Sequence, residues 1–257
     1  MRQLPPLDVH THVSTDISAA ELERLGAVTL IATRSTADFE KVAGRSDLVS
    51  VWGVGCHPSL VRIQAAFDAE KFKEALIATP YIAEVGLDGD SRVPINKQTE
   101  TLRSILRVVD QNPRIISLHS YKATSQLLDL LSEQSSRKGQ ILHWWLGDEN
   151  ETKRAIDLGC FFSINYSMIR SGDAWSSIPL NRLFLETDHP FGDRFSKKPR
   201  QPGYIQDIEE IVAKRYGISK QELRQQIWKN FATIVLETST ISLFPKPVQS
   251  MIDSVVV

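Results

Sequence analysis

Leu7-Asp8-Val9-His10-Thr11-His12-Val13 is an apolar run that carries a D-x-H-x-H pattern near the start of the chain. Read as a strand, it places side chains two apart on one face, which groups Asp8, His10 and His12. Two strand steps span about 6 to 7 Å, so both imidazoles reach one divalent ion. An isolated H-x-H is equally at home as polar surface. Its weight here comes from the rest of the chain, because a residue able to bind metal recurs at the end of several later apolar runs.

Those runs alternate with amphipathic stretches. Apolar, β-branched segments at residues 27–32, 48–54, 81–88, 114–119, 140–143, 160–165 and 182–188 read, with residues 7–13, as eight strands, most of them buried on both faces. Helical periodicity or capping marks residues 18–25, 36–43, 67–78, 97–110, 125–134, 149–158, 205–216 and 220–236, while residues 166–179 show little of it. Eight strands alternating with helices imply a parallel sheet closed into a single (β/α)8 TIM barrel over residues 1–238. A doubly wound open sheet is the rival, but no Gly-x-Gly-x-x-Gly or P-loop follows any strand. In a barrel all carboxyl ends meet at one face. His10, His12, Glu84, His119, His143 and Asp188 then become neighbours despite their separation in sequence.

Composition sets outer limits. The 257 residues are 42% hydrophobic and 24% charged with net charge -1, so nothing in the global charge draws the chain to nucleic acid or an anionic membrane. No run approaches the roughly 18 apolar residues of a membrane span, residues 1–6 lack a signal-peptide core, and a cytoplasmic location is expected. Cys56 and Cys160 stand far apart and outside any C-x-x-C frame, which fits small buried residues in a reducing compartment.

Four histidines and two carboxylates suit divalent ions such as zinc, manganese, magnesium or nickel. Glu84 can bridge two of them. Two divalent ions against two carboxylates leave a net positive centre that attracts phosphate. Ions about 3.5 to 4 Å apart stabilise both the attacking and the leaving oxygen of a phosphodiester.

With these residues in order, the chain resembles the TatD-like metal-dependent hydrolases, barrel nucleases of the wider amidohydrolase group. The matching stretches are Asp8-Val9-His10-Thr11-His12, Gly55-Cys56-His57-Pro58, Ile82-Ala83-Glu84-Val85-Gly86-Leu87-Asp88, His119-Ser120-Tyr121-Lys122-Ala123, His143-Trp144-Trp145-Leu146-Gly147 and Leu185-Glu186-Thr187-Asp188-His189-Pro190, with Asn230-Phe231-Ala232 beyond them. The resemblance implies two metal ions on His10, His12, Glu84, His119, His143 and Asp188. It further implies Asp188 orienting or deprotonating the attacking water, and His57 close to the scissile phosphate. DNA is the implied substrate, taken as single strands or from an end. The chain departs from the family pattern at three places: Tyr121, the Trp pair after His143, and His189. They bear on substrate choice; the chain also looks shorter and more divergent than housekeeping members, similar to the QatD-like branch encoded with anti-phage systems.

Around this centre, Lys122 is expected to meet phosphate, Trp144 to overlook the mouth and stack a base, and Arg194, Lys197, Lys198 and Arg200 to hold the nucleic-acid backbone. Each has a plainer reading, as solvated charge or as packing under a loop. Asp8 is expected to support a histidine or the first turn. Residues 239–257, with Pro245 and Pro247 and an apolar end, belong to no barrel repeat and are expected to dock on the barrel or on a protein partner. Hydrolysis of a carbonyl bond, as in an ester on tRNA or a cyclic amide, is the competing chemistry. A scaffold or sensor subunit of a defence complex is the competing role.

Overall fold

The structure is a computed structural model that describes residues 4–256; Met1, Arg2 and Gln3 of the first segment and Val257 of the apolar tail lie outside the described residues. In chain order its first half contains β1 (Leu7–Thr11), α1 (Ala19–Arg24), β2 (Val28–Ala32), α2 (Thr36–Glu40), β3 (Ser50–Gly55), α3 (Val61–Ala65), α4 (Ala69–Ala75), β4 (Tyr81–Gly86) and α5 (Ile95–Gln111). The second half contains β5 (Ile115–His119), α6 (Thr124–Ser132), β6 (Gln140–Leu142), α7 (Glu149–Asp157), β7 (Phe161–Ile164), α8 (Tyr166–Ser171), β8 (Leu183–Leu185), α9 (Gln206–Tyr216), α10 (Lys220–Glu237) and α11 (Lys246–Val256).

The strands pair in parallel in sequence order, β1 to β8. Beyond the end of β8 the ring is drawn closed by Asp188, whose N–H donates to the His10 carbonyl at 2.9 Å. This is the (β/α)8 barrel that the alternation implies. Its core is the strands' apolar run: Val28, Leu30, Val54, Ile82, Val85, Ile116, Leu118, Leu142, Phe162 and Leu185 are fully buried. Helix starts follow local chemistry. Ser18, Asp148 and Ser219 form capping boxes with Glu21, Glu151 and Glu222.

Several boundaries differ from the sequence reading, each for a local reason. The register of β1 against β2 shifts between Asp8 and Thr11, so simple two-residue alternation does not run through the strand and Asp8 leaves the histidines' company. Residues 59–67 contain a short helix, α3, too brief to show periodicity. The stretch 166–179 is weakly periodic because α8 covers only six residues and a 3-10 turn at Ala174–Ser177 follows it. The strand expected to end at Asp188 stops at Leu185, and Asp188 itself has φ 40°.

Residues 239–256 form a 3-10 turn and α11. Phe244, Val248 and Ile252 are buried, and Phe244 meets Phe231 of α10 edge to face at 5.5 Å. No helix among the described residues is long and apolar enough to cross a membrane.

Candidate metal centre

β1 carries His10 and leads into His12, β4 carries Glu84, and β5 ends in His119; His143 and Asp188 sit just past β6 and β8. The barrel brings all six together. Glu84 is central: Oε1 lies 3.7 Å from His10 Nε2, 3.7 Å from His119 Nδ1 and 3.3 Å from His143 Nε2. Its Oε2 lies 3.6 Å from His12 Nε2 and 3.1 Å from His57 Nε2. Asp188 Oδ1 closes the group, 3.9 Å from His10 Nε2 and 3.5 Å from His12 Nε2.

Three ring orientations are set by what the other nitrogen does. The Tyr81 hydroxyl donates to the Val9 carbonyl at 3.1 Å, and His10 Nδ1 is hydrogen-bonded to Ser117 Oγ at 2.7 Å. His12 Nδ1–H donates to the Ala32 carbonyl at 2.8 Å. His143 Nδ1 faces Glu186 Oε1 at 3.5 Å. When neutral, a ring whose Nδ1 carries the proton turns an Nε2 lone pair toward Glu84, the orientation a metal ligand needs.

The donor set fits divalent ions. Within a shell of bonds near 2.0 to 2.1 Å, tetrahedral donors stand about 3.3 Å apart, close to the separations here. Three subsets, His10–Glu84–His143, His10–His12–Asp188 and His57–Glu84–His119, each have donor atoms within 4.8 Å of one another. His10 Nε2 and both ring nitrogens of His119 are buried without a hydrogen-bond partner, at a cost that coordination would offset.

Burial alone would push the Glu84 carboxyl up, but the facing rings of His57, His119 and His143 hold it well below the usual carboxylate range. Burial pushes Asp188 above that range, further than His12 and His143 bring it back. Glu84, Trp144 and Asp188 all have positive φ, at 48°, 43° and 40°. Strain of this kind persists where surrounding structure over-determines it, and it collects at functional sites. Gly86 has φ 139° and a Cβ there would meet the His119 carbonyl oxygen at 2.1 Å; only glycine lets β4 and β5 bring Glu84 and His119 this close.

Around the centre the sequence reading divides. A cavity of about 650 Å³ opens over the cluster, with Trp144, Leu146, Met168 and Trp175 as its apolar wall and Arg194 among its cations. Trp144 overlooks the mouth, with the Arg194 guanidinium 4.7 Å from its ring centre. Trp145 packs instead, its Nε1 donating to Thr152 Oγ1 at 2.8 Å and its ring edge-on to Phe162.

Two expected phosphate contacts are corrected. Lys122 is paired with Asp90 at 2.9 Å on the outside. The Arg200 guanidinium is buried between Asp193, at 3.3 Å, and Asp207, at 2.6 Å, and lies over Tyr166 at 4.3 Å. It locks the loop and has no face free for substrate. Lys197 and Lys198 are exposed and do not line the cavity.

Asp8 holds the closure of the barrel. It accepts from Thr187 N at 2.9 Å, Thr187 Oγ1 at 2.6 Å and Gly203 N at 2.8 Å. Burial nevertheless raises its carboxyl to about 7.

Two carboxylates close to the ligands escaped the sequence reading. Glu186 is fully buried, accepts from Trp144 N at 3.0 Å, Asn165 Nδ2 at 3.2 Å and Ser163 Oγ, and lies 3.5 Å from His143 Nδ1. Asp88 Oδ2 lies 3.6 Å from His119 Nε2. The available signal was a charged residue set in an otherwise apolar strand end, where burial is costly unless it is paired.

The chain matches the family described as TatD related DNase over residues 7–235. It is 28% identical to the human deoxyribonuclease TATDN3, over 93% of this chain and 94% of that one. It is 26% identical to the Escherichia coli K12 metal-dependent hydrolase YcfH, over 75% and 76% of the two chains. The crystal structure of the Escherichia coli TatD homologue YjjV superposes with TM-score 0.76 at 18% identity, covering 88% of this chain and 97% of that one. With strand-end donors, supporting carboxylates and barrel in place along the same stretch that the match covers, the chain belongs to the TatD-related DNase family and is a metal-dependent hydrolase.

Proposed function

We propose that the chain hydrolyses phosphodiester bonds of DNA, taking single strands or strand ends, with two divalent ions held by His10, His12, Glu84, His119, His143 and Asp188. The observation that carries this reading is the position of Glu84. One of its oxygens faces His10, His119 and His143, and the other faces His12. Five donor residues around a carboxylate that offers two oxygens exceed what one four-coordinate ion uses.

When bound, the ions supply Lewis acidity that activates water and neutralises charge developing on phosphate oxygens. The chain's own residues do the rest. Asp188, 3.5 Å from His12 Nε2 at the edge of the donor group, accepts the proton of the attacking water. His57 presents an Nε2–H to an oxygen of the phosphate. Trp144 offers a ring for an unpaired base, in a cavity of about 650 Å³ that Met168 and Trp175 also line. DNA as substrate draws also on the name of TATDN3. An anti-phage setting rests on the resemblance of the divergent motifs alone.

The test uses purified protein with manganese, zinc, magnesium or nickel, and with chelator. Substrates are 5′-labelled and 3′-labelled single-stranded oligonucleotides, the matching duplexes, and a lactone and an ester. Shortening of single strands that chelator abolishes, with about two ions per chain by elemental analysis, supports the reading. Hydrolysis of the lactone or ester with oligonucleotides left whole overturns it.

A further inference from the structure

We propose that Arg34 grips a substrate phosphate next to the one being cleaved, at a saddle between two subsites. This rests on the phosphodiester reading of the metal centre. A second, polar cleft of about 450 Å³ lies beside the aromatic cavity, lined by Ser14, Thr15, Thr33, Asp38 and His189. Arg34 and Phe191 line both. His12 borders the polar cleft, and Glu84, His119 and His143 border the aromatic cavity, so the metal ligands are divided between the two sides. A chain cleaved at this centre has one side in the aromatic cavity and the other in the polar cleft, and it passes Arg34.

The side chain is free to act. Arg34 is exposed, and among the described residues its guanidinium forms no hydrogen bond or close ion pair; its charge is felt by Asp38 from a longer range. Asp38, the acidic residue in the same cleft, is taken by Lys41 at 3.0 Å and Ser35 at 2.9 Å. The other cations near the mouth are committed: Lys122 to Asp90, Arg200 to Asp193 and Asp207, and Arg194 against Trp144.

The backbone under Arg34 is fixed on both sides. Thr33 Oγ1 donates to the Gly53 carbonyl at 2.7 Å, and Ser35 Oγ accepts from Asp38 N at 3.0 Å as the cap of α2. The Arg34 carbonyl itself accepts the N–H of His57 at 3.1 Å, tying the residue to the one that faces Glu84. A guanidinium on a rigid base with no internal partner is suited to a phosphate fork.

The experiment compares wild type, Arg34→Gln and Arg34→Lys on a thymidine dinucleotide, which has only the scissile phosphate, and on a thymidine pentanucleotide, with manganese supplied. Arg34→Gln is expected to lower kcat/KM on the pentanucleotide about tenfold, mainly through KM, the loss of one charge-assisted hydrogen bond. That loss should exceed the loss on the dinucleotide at least fivefold, and Arg34→Lys should recover part of it. In chelator, the log-log salt slope of oligonucleotide binding should flatten by about 0.7. Equal losses on the two substrates, or none on the pentanucleotide, overturn the assignment while the phosphodiester reading stands. A wild type that cleaves neither substrate overturns both.

Discussion

The backbone N–H of Ser59 donates to His57 Nδ1 at 3.1 Å, which puts the ring proton on Nε2, the atom 3.1 Å from Glu84 Oε2. His10, His12 and His143 are turned the other way, with Nδ1 directed to Ser117, Ala32 and Glu186. His57 satisfies the distances of a ligand in one donor subset, but a protonated nitrogen cannot coordinate. The hydrogen-bond partner, more than proximity, sets His57 apart from the rings whose Nδ1 is directed away from Glu84.

His57→Ala should accordingly keep the metal content of wild type while kcat falls about 10²-fold or more. His143→Ala should lose metal and activity together. Elemental analysis beside steady-state kinetics checks both. Metal loss in His57→Ala equal to that in His143→Ala would make the ring a ligand.

Glu186→Gln keeps an acceptor for Trp144 N but removes the charge that faces His143 Nδ1. Outer partners of this kind hold ligand rings in tautomer and orientation, and their loss weakens metal binding about 10- to 100-fold. Competition with a chelator of known affinity measures it. A change below twofold would reduce Glu186 to a packing role.

The cluster around Glu84 was legible because each member is a polar residue closing an apolar run, and the barrel rule then gathers strand ends on one face. His10, Glu84, His119 and His143 needed no more than that. Glu186, Asp88 and Arg34 were not legible, because their roles depend on partners that only the closed barrel supplies. Glu186 meets Trp144 from 42 residues away, and Arg34 matters through two cavities. Arg200 was misread for the converse reason: a loop of cations looks free until its carboxylate partners, Asp193 and Asp207, are seen to enclose one of them.

Asp47 gives a pH dependence separable from the metal centre. Burial alone would raise its carboxyl, but two Arg45 donors at 2.8 Å and Trp52 Nε1 at 2.8 Å hold it below its ordinary 3.8. A folded-state value below the unfolded one gives stability that is fully present above pH about 4 and is lost as pH falls through the folded value. Asp47→Asn should cost about 1 to 3 kcal/mol at pH 7, and its deficit against wild type should shrink below pH about 4. Urea midpoints of both proteins across that range decide it. A deficit constant with pH would mean that packing, not charge, is lost.

The four cations after Asp188 should separate into two classes under single substitution. Arg200 is buried against one buried and one half-exposed aspartate, so Arg200→Gln strands charge inside the loop. Breaking a fully buried pair costs about 3 to 5 kcal/mol; with Asp207 partly open to solvent, about 2 to 4 kcal/mol and a clear fall in Tm are expected. Lys197 and Lys198 are exposed, so their replacement by glutamine should leave Tm within about a degree. If they meet nucleic acid outside the cavity, each should flatten the log-log salt slope of oligonucleotide binding by about 0.7. Arg194→Gln removes the cation over Trp144 and should weaken binding through the stacking platform, raising KM more than it lowers kcat. Thermal melts and binding isotherms at several salt concentrations measure all four. An Arg200→Gln variant that melts like wild type and binds oligonucleotide more weakly would show that its guanidinium leaves Asp193 and Asp207 to reach the substrate.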